Sequence, residues 1–170
     1  MFFIFVIDLP HDDITDVLSD VSDTSYISDF EDQPNSVQYD LSNGSPLDIN
    51  KFIVAHFNVN SILAENRLDE VQSVCSTLNI AVLCITESKL DETIPSSVVM
   101  LQGYHEPIRR DRILNGRQGG GCLMYISENL LFKHRTDLQT DHFEHLWADI
   151  KVGGLNFTVT CFYRPQMKHL

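Results

Sequence analysis

The sequence predicts an α/β domain of the α+β kind, with one mixed β-sheet and a flanking helix. Three observations carry that reading. Residues 52–57 (FIVAHF) and 80–85 (IAVLCI) are apolar runs without strict alternation, as expected of strands covered on both faces. Between them Leu68, Val71, Cys75 and Leu78 recur at three and four residues, the spacing of one helix face. Beyond residue 100, short strand-like segments alternate with Gly and polar turns, so the helix comes early and strands dominate later.

In chain order, Met1 to Leu9 (MFFIFVIDL) is apolar. It is too short to span a bilayer, which takes ~20 residues, and it lacks the basic start and small-residue cleavage site of a signal peptide. It reads as a stray strand or a non-native start. From Pro10 to Asn50 the chain is Asp, Ser, Thr, Asn and Gln with single hydrophobes, too little apolar area to offset chain entropy, so disorder is expected. After the first strand, the helix is expected to begin near Ser61 or Glu65 and to stop at Thr77–Leu78, with Asn79 as the terminator. Asp91 to Ser97 reads as a loop, Val98–Leu101 as a short strand or turn, and Tyr104–Arg110 as a strand. Further strands are expected at Gly121–Ile126, Leu130–His134 and Leu146–Val152. Gly153–Gly154 is a hairpin signal that returns the chain as Leu155–Tyr163.

Charge divides the chain. Of the net charge of −12, −11 falls in residues 1–50, which hold no Lys or Arg, and −1 in the remainder. The acidic total therefore does not exclude a nucleic-acid ligand, because the local patch decides. Cys75, Cys84, Cys122 and Cys161 lie in apolar runs without a CxxC pair. They read as core thiols in a reducing compartment, nuclear or cytoplasmic and not secreted.

Two polar residues stand where apolar runs end: Asn58 after the first and Glu87 after the second. Ligands of α/β sheets bind outside the carboxyl ends of strands, and a carboxylate there is a hard oxygen donor suited to Mg²⁺. Asn60–Ser61 also reads as a helix cap. Arg109, Arg110, Arg112 and Arg117 form the basic cluster, and a guanidinium grips phosphate at two points; such contacts position DNA without reading its sequence. Gly119–Gly120–Gly121 lacks the Lys and Ser/Thr of a phosphate loop and reads as a tight turn. His142 and His145 have zinc-like spacing but lead into a strand, which favours a surface turn. His56 reads as a structural histidine. No Ser-His-Asp or Cys-His arrangement and no small-molecule cofactor motif stands out.

Several blocks, in their order and spacing, resemble the endonuclease/exonuclease/phosphatase superfamily, and more narrowly the apurinic-like endonuclease domain of non-LTR (LINE and jockey-like) retrotransposons. They are His56–Ser61 (HFNVNS), Leu83–Asp91 (LCITESKLD), Gly103–Tyr104, Arg109–Arg112 (RRDR), Gly119–Gly121 and Tyr163–Pro165. The resemblance covers residues 51–165 and implies the first part of a four-layer α/β sandwich, preceded by a leader (1–50) and followed by a tail (166–170). It also implies an Mg²⁺-dependent DNA phosphodiesterase. Glu87 and the polar Asn60 would serve the metal, Asn58 the active-site network, Tyr163 the scissile phosphate, and the arginines the DNA backbone. The family pattern continues with an Asp-x-Asn pair, a further Asp and a late His. After Pro165 this sequence has only Gln-Met-Lys-His-Leu. Half of the active site and only the first sheet with its helix are therefore expected, without nuclease activity on their own.

Overall fold

The computed structural model describes residues 2–8, 51–111 and 119–163. The central unit is strand–helix–strand. Strand β2 (Lys51–Asn58) leads through a loop to helix α1 (Arg67–Leu78), which returns the chain to β3 (Val82–Thr86), parallel to β2. Strand β4 (Ile108–Arg110) pairs antiparallel with β5 (Cys122–Ile126), and β5 pairs antiparallel with β3. Residues Phe2–Asp8 form β1, antiparallel to β2 at the sheet edge. The result is a five-stranded mixed sheet in the order β1-β2-β3-β5-β4. The apolar start is thus a strand, and the acidic stretch expected to be disordered falls, over residues 9–50, outside the described residues.

The mixed sheet and its helix match the expectation, and a second sheet adds to them. Strands β6 (Leu131–His134), β7 (Glu144–Val152) and β8 (Leu155–Tyr163) form a separate antiparallel sheet in that order. Gly153 and Gly154, at φ 53° and 82°, make the β7–β8 turn, the left-handed pair that a two-residue hairpin requires.

Helix, mixed sheet and antiparallel sheet stack as three layers, which explains the continuous apolar run of β3. Leu83 and Ile85 pack toward α1 with Ala55, Phe57, Val71, Cys75, Leu123 and Tyr125. Val82 and Cys84 pack toward the second sheet with Phe52, Met124, Ile126, Leu146, Ile150 and Cys161. A strand with both faces covered has no solvent side to encode. All four cysteines are buried and free. Among the described residues, no helix is long and apolar enough to cross a membrane.

Two element boundaries differ from the sequence reading. The helix starts at Arg67 rather than near Ser61 or Glu65. The N-cap position is Asn66, so Asn60 and Ser61, with φ of 49° and 96°, lie in the loop before it and do not cap the helix. Their segment instead is tied by its backbone to the loop after β3, with Ser61 N–H bonded to Glu87 O at 2.8 Å and Ile62 N–H to Ser88 O at 3.0 Å. Asn79 ends the helix as expected, left-handed with its N–H on Cys75 O. The strand expected over Tyr104–Arg110 is confined to Ile108–Arg110, with Tyr104 in a lone bridge to Ser127; Pro107 has no N–H to donate to a ladder. Of the two readings for Val98–Leu101, the turn holds: a 3-10 turn occupies Ser96–Val99 after Pro95.

Candidate functional site

The site forms where β2 and β3 end side by side. Asn58 and Thr86 are register partners and, by strand alternation, face the second sheet with Phe52, Val82 and Cys84. Regular geometry would turn the next residue, Glu87, toward the helix. Glu87 instead has φ 57°, a left-handed kink that breaks the alternation and brings its carboxylate to the side of Asn58. Its Oε1 accepts from Asn58 Nδ2 at 2.9 Å and from the Tyr163 hydroxyl at 3.1 Å. Tyr163 reaches this point from the end of β8, in the opposing sheet. Asn58, Glu87 and Tyr163 are each half-buried.

The network extends outward. Asn60 N–H donates to Asn58 Oδ1 at 3.3 Å, and Lys89 Nζ donates to Asn60 Oδ1. Lys89, Asn60, Asn58 and Glu87 are therefore joined by consecutive hydrogen bonds, with Tyr163 on the far side of the carboxylate. The loops carrying them are fixed by their backbones: Val59 N–H to Thr86 O at 3.1 Å, Ser88 N–H to Gly121 O at 3.2 Å, and Lys89 N–H to Gly120 O at 2.9 Å. Asn60, Ser61, Glu87 and Lys89 all have positive φ. Such conformations cost on the order of 1–3 kcal/mol each and persist where surrounding structure over-determines them.

The glycine run supplies part of that surrounding structure. A Cβ on Gly121 would sit 2.5 Å from Ser88 Oγ, and its φ is +86°. Its N–H donates to Glu144 Oε2 at 2.7 Å. The run is thus a close backbone approach that seats the Glu87 loop. Beneath it, His56 Nε2 meets Thr86 Oγ1 at 3.0 Å, and burial lowers the His56 pKa. His145 is buried on β7, its Nδ1 accepting from Trp147 Nε1 at 2.6 Å, whereas His142 is exposed.

Arg109 and Arg110 do not converge. Arg109 and Arg110 are successive residues of β4 and point to opposite faces. Arg109 donates to Ile94 O at 2.6 Å and Asp91 O at 3.0 Å and pairs with Asp111 at 2.6 Å, which ties down the loop after β3. Arg110 donates to Thr140 O at 2.7 Å and lies 3.7 Å from Asp141. Arg112 and Arg117 lie outside the described residues. Asn60, expected at the metal, turns its Oδ1 to Lys89. Lys89 itself carries no role in the sequence reading. Its signal was its place two residues beyond Glu87, at the same strand end.

With Oε1 engaged twice, Glu87 Oε2 is the hard donor that this arrangement offers a cation. Among the described residues, no group of three or more His, Cys, Asp or Glu side chains is placed to share a metal ion. The donor set fits Mg²⁺ in its sparing mode, in which one carboxylate is completed by water and substrate phosphate.

No family model and no curated protein matches this sequence. Among solved structures, the chain is similar to an AP endonuclease from Archaeoglobus fulgidus, with 21% identity and a TM-score of 0.38 over 62% of this chain and 38% of that one. It is also similar to a 3′ phosphatase from Neisseria bound to a product DNA hairpin, with 20% identity and a TM-score of 0.39 over 62% and 39%. A 3′–5′ exonuclease from Neisseria meningitidis gives 18% identity and a TM-score of 0.37 over 62% and 39%. The chain spans less than half the length of each of these structures.

Proposed function

We propose that this chain is part of an Mg²⁺-dependent DNA endonuclease domain of the apurinic-like type carried by non-LTR retrotransposons. The observation that supports it is the meeting of Glu87, Asn58 and Tyr163 at the carboxyl ends of two parallel strands. In this reading the substrate is the DNA backbone, bound weakly and without sequence preference. Glu87 Oε2 holds the metal, while Asn58 and Tyr163 fix the carboxylate through Oε1. A bound Mg²⁺ supplies Lewis-acid polarisation of the phosphoryl oxygen and a more acidic water. Residues 51–165 form the domain, residues 1–50 the acidic leader, and the working compartment is the nucleus or cytoplasm.

Among the described residues, the network around Glu87 holds no second carboxylate and no histidine to act as a positioned acid–base group. Each such group contributes ~10²–10⁴-fold, and groups acting as a unit fail together. The 170-residue chain by itself is therefore expected to nick supercoiled plasmid no faster than its Glu87→Ala variant. The single carboxylate also favours a second reading, a non-catalytic module that binds nucleic acid or protein.

The experiment is Mg²⁺ titration followed by thermal melting, beside DNA binding at varied salt. The metal should raise the melting temperature of the native chain and not of Glu87→Gln. DNA affinity should fall steeply with salt. Absence of both effects would remove the nuclease reading, and nicking well above the Glu87→Ala control would remove the expected inactivity.

A further inference from the structure

Lys89 is joined to the strand-end carboxylate through Asn60 and Asn58. It is exposed, two residues beyond Glu87, on a backbone pinned at φ 55° by its own N–H on Gly120 O. Its ammonium donates to the neutral Asn60 Oδ1. That partner distinguishes it from the arginines. Among the described residues, Arg67, Arg109, Arg110 and Arg135 each pair with at least one carboxylate. Lys89 is oriented by a hydrogen bond to a neutral amide, which leaves it without a carboxylate partner among the described residues, and an ammonium keeps further donors when one is engaged.

We propose that Lys89, steered by Asn60, is the cation that contacts the DNA backbone phosphate beside the Glu87 site. This rests on the reading of the site as a DNA phosphodiesterase and names the residue that seats the strand. Arg109 then has a different task. Its donors hold the carbonyls of Asp91 and Ile94, so it keeps in place the loop that follows Lys89. Asn60 acts as a positioning residue: its left-handed backbone, which Asn tolerates better than most residues, turns Oδ1 outward to the ammonium. An anionic partner at residue 60 would hold Lys89 equally well and cancel its charge.

The test is fluorescence anisotropy with a duplex oligonucleotide across a salt series in EDTA, so that metal ligation plays no part. A phosphate contact contributes a slope of about −0.9 in log affinity against log salt. Lys89→Gln should therefore flatten the slope by about one and weaken binding by roughly 10-fold at ~0.1 M salt. Asn60→Asp should act in the same direction, Lys89→Arg should retain binding, and Lys133→Gln on β6 should leave it within twofold. Circular dichroism should match the native chain throughout, since Lys89 and Asn60 are exposed. If native binding depends on salt but Lys89→Gln behaves like Lys133→Gln, the Lys89 assignment is overturned and the DNA-binding reading stands. If native binding is absent or independent of salt, this assignment is overturned, and the nuclease reading falls with it only where Mg²⁺ also fails to raise the melting temperature.

Discussion

The Tyr163 hydroxyl donates to Glu87 Oε1 at 3.1 Å across 76 residues of sequence. One bond thus links the end of the last strand of the antiparallel sheet to the kink that ends β3. Removing it should cost a modest amount of stability. Tyr163→Phe is expected to lose about 0.5–1.5 kcal/mol in urea unfolding. It should also weaken Mg²⁺ stabilisation of the melting temperature, because Oε1 then has one donor to hold it. An unchanged metal response would show that Asn58 alone orients the carboxylate.

Gly121 and Ser88 should behave as a coupled pair. Gly121→Ala adds a Cβ 2.5 Å from Ser88 Oγ at φ +86°, with an expected loss on the order of 1–3 kcal/mol. Ser88 Oγ is buried without a hydrogen-bond partner. Ser88→Ala should therefore be neutral or stabilising, and it should recover part of the Gly121→Ala loss. A double-mutant cycle by urea denaturation reads that coupling directly. Additive losses would mean that the backbone conformation, not the contact, sets the cost.

Acid should destabilise the fold through histidines. Burial lowers the pKa of His56, His134 and His145 from the ordinary 6.5, and the neighbouring Arg110 charge adds to the effect at His145. A depressed folded value means that the unfolded state binds protons first. The stability is present above pH ~6.5 and is lost as pH falls below it through the lower folded values. His145 shows the cause: its Nδ1 accepts from Trp147 Nε1, and a proton there would face a donor with a donor. Urea midpoints should fall between pH 7 and pH 5, and His145→Gln should reduce the fall. A midpoint that rises on acidification would contradict the assignment.

The thiols should be inert until the protein unfolds. Burial raises the pKa of Cys75, and the neighbouring thiols of Cys122 and Cys84, with burial, raise that of Cys161. Little thiolate forms at neutral pH, and the thiolate is the reactive species. Labelling with a disulfide reagent should be slow in buffer and immediate in denaturing urea, giving four thiols per chain. Fast labelling of any one of them in buffer would indicate local opening between the sheets.

What the sequence revealed depended on where the physics is local. The Leu68–Cys75 spacing, the stop at Asn79 and the Gly153–Gly154 hairpin were legible because periodicity and turn chemistry act within a few residues. So were Asn58 and Glu87, each a polar residue closing an apolar run. The division of strands into two sheets was not legible, because alternation reports which residues face a core and not which strand lies alongside. The helix start was misplaced because Asn60–Ser61 has cap-like composition, while its conformation is set by bonds to Glu87 and Ser88 far along the chain. The arginines read as one cluster, yet β4 turns two of them to opposite faces and surrounds them with carbonyl and carboxylate acceptors.

The backbone bonds beyond the end of β2 have a consequence in time as well as in space. Ser61 and Ile62 belong to a loop by shape, but their amides are tied to the carbonyls of Glu87 and Ser88. They should exchange with solvent deuterium at the pace of strand residues rather than loop residues. Asn58 and Glu87 then move as one body: a fluctuation that parts them must first unzip the segment beyond both. Exchange at those two amides is a clock for how often the site is open.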